Sequence, residues 1–121
     1  MPRLFVYGTL KRGDVRDRLL AEELFLGAAR TRPAYRLHDC GAYPALVDAA
    51  PAGNSILGEV YDVSPHCLSR LDEEEGVPEG LYARRPIELL DPFANQRIEA
   101  YFYLPATDDL PDLGDGWRPI A

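Results

Sequence analysis

The chain carries only two cysteines, one tryptophan and one methionine, and it has no long hydrophobic run. Cys40 and Cys67 show neither metal-ligand spacing nor a partnering His pattern, so they read as reduced core thiols of a cytoplasmic protein. A bilayer span needs about 20 apolar residues, and no run approaches that length. Met1-Pro2-Arg3-Leu4-Phe5-Val6-Tyr7 enters a strand-like run directly and lacks the apolar region of a signal peptide. Positive charge is short as well. Thirteen Lys and Arg stand against twenty Asp and Glu, a net charge of −7, with no dense basic cluster. That argues against nucleic acid or an anionic membrane surface as the main partner. His38 and His66 are isolated from any Ser or Cys nucleophile signature, which argues against a triad.

What is present is enough for one domain. The 121 residues, 46% of them hydrophobic, can bury a real core without disulfides or metal, and no linker or repeat divides residues 1–121. Arg3 to Tyr7 reads as a short buried strand. Asp14 to about Leu26, with Val15, Leu19 and Leu26 roughly in phase and Gly27 behind them, predicts a helix. Ala28 to Thr31, Ala34 to Asp39 and Ala45 to Asp48 read as strands, and Ile56 to Val63 as another. The Gly58 inside that strand marks a bend or a close backbone approach. Tyr82 to Leu90 and Ile98 to Leu104 complete the strands. The Pro-, Gly- and Asp-rich tail from Pro105 to Ala121 reads as irregular, with Trp117 as a plug packing it onto the body. Many strands and two helices out of alternation predict an α+β fold with a curled, partly closed sheet.

Ser64-Pro65 is a strong helix start and Gly76 an equally good stop. Between them, Leu68, Leu71 and Glu75 fall on one stripe at spacings of three and four, while Asp72 and Glu73 point elsewhere. A carboxylate on a buried stripe is costly unless it is paired or used for chemistry. The other reading is a helix end that has run out of core, with every acid in solvent. Phe5-Val6-Tyr7-Gly8-Thr9-Leu10 is a strand running into a glycine turn. Its N–H groups can form a concave anion site, or it can be a plain tight turn. It lacks the second Gly and the Lys-Ser/Thr pair of a phosphate loop.

Seven motifs then occur in order: Tyr7-Gly8-Thr9-Leu10, Tyr43-Pro44-Ala45-Leu46, Gly58-Glu59-Val60-Tyr61, Leu71-Asp72-x-x-Glu75-Gly76, Leu81-Tyr82-x-Arg84, Ala100-x-x-Tyr103 and Gly116-Trp117-Arg118. Across nearly the whole length the chain resembles the γ-glutamylcyclotransferase-like superfamily, including the AIG2-like proteins. The resemblance implies a small mixed α/β domain, its sheet curled into a partly closed β-barrel flanked by two helices. It implies an anion pocket at Tyr7, Gly8, Thr9 and Leu10 and a catalytic acid/base at Glu75. Tyr7, Tyr82 and Tyr103 are candidates to shape the pocket, or core aromatics with a hydroxyl at the surface.

The implied reaction releases 5-oxoproline from a γ-glutamyl amide, the substrate's own α-amine attacking its γ-carbonyl. No cofactor, metal or protein nucleophile is needed. Burial on the leucine face, with Asp72 and Glu74 nearby, is expected to raise the proton affinity of Glu75. Related readings are cleavage of a specialised γ-glutamyl amine or side-chain crosslink, and a binding module that keeps the cavity without turnover. Loop Val77-Pro78-Glu79-Gly80 and tail segment Asp108-Asp109-Leu110-Pro111-Asp112 are expected at the cavity mouth. Oligomeric state is left open.

Overall fold

In the computed structural model residues 2–117 are described; Met1 and residues 118–121, including Arg118 of the last motif, lie outside the described residues. Seven strands are formed: β1 (Arg3–Val6), β2 (Leu24–Arg30), β3 (Tyr35–Asp39), β4 (Pro44–Asp48), β5 (Leu57–Asp62), β6 (Tyr82–Pro86) and β7 (Glu99–Tyr103). One α-helix, α1 (Pro65–Glu74), lies between β5 and β6. Five strands make one sheet in the order β2-β5-β1-β7-β6, and β3 and β4 pair as a separate antiparallel hairpin. Within the large sheet β1 runs antiparallel to β5 and parallel to β7, and β6 and β7 pair antiparallel.

The period of two along β1 explains how the layers form. Leu4 and Val6 join the cluster that holds Cys67, Leu68 and Leu71 of α1. Phe5 and Tyr7 join the opposite cluster, with Leu37 and Leu46 of the hairpin and Trp117. The helix therefore covers one face of β1 and the hairpin covers the other. Trp117 is buried in that second cluster and pins the tail, as expected of a plug. At Gly58 the backbone approach is close: an added Cβ would lie 2.5 Å from the Phe5 ring and from the Val6 carbonyl oxygen.

Two expectations need correction. The described residues form no closed barrel; the sheet is open, with β2 and β6 at its edges. They also contain one α-helix, not two. Residues 14–26 form successive tight turns, a 3₁₀ segment at Asp17–Leu20, and then the start of β2. The physical cause is local. Asp17 Oδ2 accepts from the Gly13 N–H at 2.9 Å and Asp14 Oδ1 from the Val15 N–H at 2.7 Å. Such side-chain bonds offer the backbone an alternative to the helical ladder. Gly13 at φ 84° adds a turn. The pairing of Leu24 and Phe25 with Asp62 and Tyr61 then commits the rest to the sheet.

Candidate active site

Sequence features place Glu75 at a defined point. Ser64 is the N-cap of α1, its hydroxyl accepting from the Cys67 N–H at 3.2 Å, with Pro65 in the first helical position. Gly76 at φ 69° takes the left-handed conformation that ends the helix. Between these limits Leu68 and Leu71 face the core, and Glu75, the C-cap, follows Leu71 by four residues on the same side. Glu75 is only 9% exposed. Glu73 and Glu74 are exposed, and Asp72 turns to another network.

That network separates the acids. Arg84 donates to both Asp72 oxygens, at 3.0 and 3.1 Å, and to Glu99 at 2.6 Å; the Tyr101 hydroxyl donates to Asp72 at 2.7 Å. Burial works against the Asp72 charge, yet the bonds from Arg84 and Tyr101 hold its carboxyl below the ordinary value. Glu75 shifts the other way. Burial raises it, the Arg16 guanidinium opposes that rise by charge and by hydrogen bond, and neighbouring Glu74 adds a smaller push upward. The expected contribution of Asp72 is missing because its charge is already answered by Arg84.

Glu75 opens into a two-part cavity. An inner slot of about 20 Å³, room for one water, is bordered by the Tyr7–Leu10 loop, Pro44, Tyr82, Tyr101, Arg16 and Glu75. An outer cleft of about 310 Å³ adds Val15, Ala42, Glu74 and Leu81, and shares Thr9, Arg16, Tyr43, Glu75 and Tyr82 with the slot. Among the described residues, the hydrogen bonds leave the backbone N–H groups of Gly8, Thr9 and Leu10 without a partner, although all three residues are buried. Buried backbone donors are ordinarily paired, and three open ones beside a cavity have the geometry that can accept an anion. Gly8 is required there for space: an added Cβ would come within 2.7 Å of the Pro44 ring.

The tyrosines divide. The Tyr7 hydroxyl donates to the Tyr101 carbonyl at 2.5 Å and the Tyr82 hydroxyl to the Pro44 carbonyl at 2.6 Å. Burial pushes both phenols upward, with Glu75 adding to the effect, so they remain neutral walls. Tyr103 does not line the cavity. It pairs across strands with Tyr82 and packs its ring edge-on at 5.3 Å, one ring behind. Tyr101, on the same strand face by the period of two, borders the slot instead. The sequence reading also missed Tyr43 and, above all, Arg16. Arg16 donates from Nη2 to Glu75 Oε1 at 3.0 Å and from Nε to the Thr9 hydroxyl at 2.7 Å.

The mouth is not built as expected either. The tail segment turns away to β3, with the Asp39 N–H donating to the Pro111 carbonyl at 2.8 Å and Arg36 paired to Asp112 at 2.8 Å. Val77 to Gly80 close a turn beyond the helix, and only their flanking residues Glu74 and Leu81 reach the cleft. Among the described residues no group of three or more His, Cys, Asp and Glu side chains converges as a metal site, and no helix is long and apolar enough to cross a membrane.

The fold and cavity define a class: a small α+β domain with a buried carboxylate facing a loop of open backbone N–H groups. Residues 4–119 match the family model described as gamma-glutamyl cyclotransferase, AIG2-like, and the chain belongs to that family. A Vibrio cholerae protein named, provisionally, as a gamma-glutamylcyclotransferase is 41% identical over 93% of this chain and 92% of its own length. The Homo sapiens gamma-glutamylaminecyclotransferase is 33% identical over 88% of this chain and 80% of its own. The fold also matches the crystal structure of an AIG2-like protein from Mus musculus, with a TM-score of 0.74 and 25% identity, covering 98% of this chain and 88% of the mouse chain.

Proposed function

We propose that this chain cleaves a γ-glutamyl amide or amine to 5-oxoproline and a free amine, with Glu75 as the general acid/base. The observation that carries the reading is the pairing of a buried, upward-shifted carboxylate with three open backbone donors in one cavity. The names of the relatives point to the same class of chemistry.

Each step has an owner. The N–H groups of Gly8, Thr9 and Leu10 hold the substrate's α-carboxylate. Glu75 takes a proton from the α-ammonium, and the freed amine forms a bond to the γ-carbonyl carbon. Glu75 gives that proton to the leaving nitrogen, the bond from the carbon to this nitrogen breaks, and Glu75 relays the second proton of the ring nitrogen to the departing amine, leaving a neutral lactam and an ammonium. Atoms and charge balance without water, metal or a protein nucleophile. An ordinary Glu, near 4.3, is a poor base for an amine near 8, and burial narrows that gap. Holding both ends of one molecule in attack geometry can contribute roughly 7–11 kcal/mol. The neutral Tyr7, Tyr82 and Tyr101 side chains give the slot its walls.

The test is a panel of γ-glutamyl amines and γ-glutamyl amino acids incubated with purified protein, with 5-oxoproline as the readout. Release of 5-oxoproline from at least one member is expected. Free glutamate in place of 5-oxoproline would mean attack by water and would refute the cyclisation.

A further inference from the structure

Arg16 carries more than a counter-charge for Glu75. Its backbone N–H donates to the Thr9 carbonyl at 2.9 Å and its Nε to the Thr9 hydroxyl at 2.7 Å, so both ends of the arm are tied to the anion loop. Nη2 is bound to Glu75, while Nη1 has no partner among the described residues. The side chain is 25% exposed and borders both the slot and the outer cleft. A guanidinium is a planar fork with five donors, suited to two acceptors at once, and here half of the fork is unused.

We propose that Arg16 is a substrate-binding residue: one arm of its guanidinium keeps Glu75 while the other takes the substrate's α-carboxylate beside the open N–H groups of Gly8, Thr9 and Leu10. The proposal rests on the γ-glutamyl reading of the site and adds a residue to it. Its chemical sense lies in the substrate. The α-carboxylate and the α-ammonium share one carbon, so a cation that grips both Glu75 and the carboxylate sets the ammonium proton within reach of its acceptor. Arg16 itself moves no proton, because it stays cationic throughout. The bond between the amine and the γ-carbonyl forms and the leaving C–N bond breaks with Glu75 alone relaying the two protons from the attacking to the leaving nitrogen.

The same fork affects proton affinity. The titratable groups that act on Glu75 are Arg16 and Glu74, and Glu75 in turn bears on Tyr7, Tyr82 and Tyr101. Arg16 alone among these opposes the burial that raises Glu75. A carboxylate that shares the guanidinium dilutes this opposition, so substrate binding itself makes Glu75 the stronger base.

The experiment is a cycle across protein and substrate. Wild type, Arg16→Gln and Arg16→Lys are each assayed on a γ-glutamyl amide and on the analogue whose α-carboxylate is a primary carboxamide, the α-amine left free. Wild type should lose about 10- to 100-fold in kcat/KM on the carboxamide, the range of a hydrogen bond to a charged group. Arg16→Gln should show part of that loss already on the acid and then discriminate less than wild type between the two substrates, the remaining preference coming from the loop N–H groups. Arg16→Lys should recover part of the discrimination, and Arg16→Gln should move the acid limb of the pH–rate profile upward. Additive losses across the cycle overturn the proposal, since a merely structural Arg16 would act equally on both substrates. A measurement without variants guards against a folding defect: the Arg16 side-chain ¹⁵N signals of wild type should shift with 5-oxoproline and not with its carboxamide. Unmoved signals also overturn it. Should wild type form no cyclic product from any γ-glutamyl amide, the function reading falls and takes this with it; cleavage with an additive cycle removes Arg16 alone.

Discussion

Glu75→Gln makes two separate demands on the structure, one on activity and one on stability. Gln is nearly isosteric, and its amide oxygen can still accept the 3.0 Å bond from Arg16, so the fold should survive. Activity should not, because the amide can neither accept the ammonium proton nor return it. Loss of a general acid/base costs about 10²–10⁴-fold in rate, or roughly 3–5 kcal/mol of transition-state stabilisation at 1.36 kcal/mol per decade. Binding of 5-oxoproline should persist, since the N–H groups of the loop remain. Glu73→Gln, on the exposed face, should behave as wild type within about 0.5 kcal/mol of stability.

The sign of the stability effect follows from Glu75 lying above its ordinary value. In the native protein the proton is held more tightly than in the unfolded chain. Native protein therefore binds more protons as pH passes through the interval between the two values, and wild-type stability falls with rising pH across it. Above the native value the deficit is complete and constant. Gln has no proton to lose, so stability of the variant relative to wild type should rise through the carboxyl range and then level off. Urea unfolding of both proteins at a series of pH values from about 4 to 8 reads this directly. A relative stability that falls with pH would mean the Arg16 pair outweighs burial, and retained turnover would remove Glu75 from the chemistry.

Further outcomes can be checked in the same preparations. Gly8→Val should weaken 5-oxoproline binding in calorimetry, because a Cβ 2.7 Å from the Pro44 ring displaces either the ring or the donors; overpacking of this kind costs about 1–3 kcal/mol. Thr9→Ala, which keeps the N–H, should be milder. N-acetylated γ-glutamyl amides should give no 5-oxoproline in an amine-release assay, since the internal nucleophile is gone, while activity on free substrates should survive EDTA and thiol alkylation. Asp72→Asn should cost about 1–3 kcal/mol by thermal melts near neutral pH, through the lost charge on its bonds to Arg84 and Tyr101. Its contribution is present above the unfolded carboxyl value and is lost as pH falls through the lower native one, so the gap to wild type should close in acid.

Legibility in the sequence follows how local each decision is. Ser64, Pro65 and Gly76 act on their own backbone, and together they fix the frame of α1 closely enough to point Glu75 inward. The Tyr7–Leu10 turn could be seen for the same reason, since a strand that ends at a glycine needs no distant partner to be recognised. Strand order could not be read: β7 lies beside β1 although almost the whole chain separates them, and nothing in Glu99 to Tyr103 names Leu4 as its neighbour. Residues 14–26 misled because the leucine spacing is helical while Asp14 and Asp17 spend their carboxylates on backbone N–H groups. That error hid Arg16. A buried carboxylate calls for a cation, and Lys11, Arg12, Arg16 and Arg18 all follow the loop; only the sequence of tight turns from Gly8 to Leu19 decides which one arrives.

Core packing and chemistry are joined at that point. Leu71 is fully buried, and the turn it anchors carries Glu75 as the next residue on its side of the helix. The cluster around Leu71 also holds Leu10 and Leu20, the residues that bracket Arg16 in sequence. The acid and its cation are thus set by one hydrophobic contact zone, approached from two segments with no hydrogen-bonded ladder between them. A packing change there shifts both members of the pair before it unfolds either segment. Tyr7 lies under the opposite control: its ring belongs to the cluster on the hairpin side, and its hydroxyl is tied to β7. The slot therefore sits where two independently packed layers meet at the end of β1, which lets a small domain keep a charged group dry without closing its sheet into a barrel.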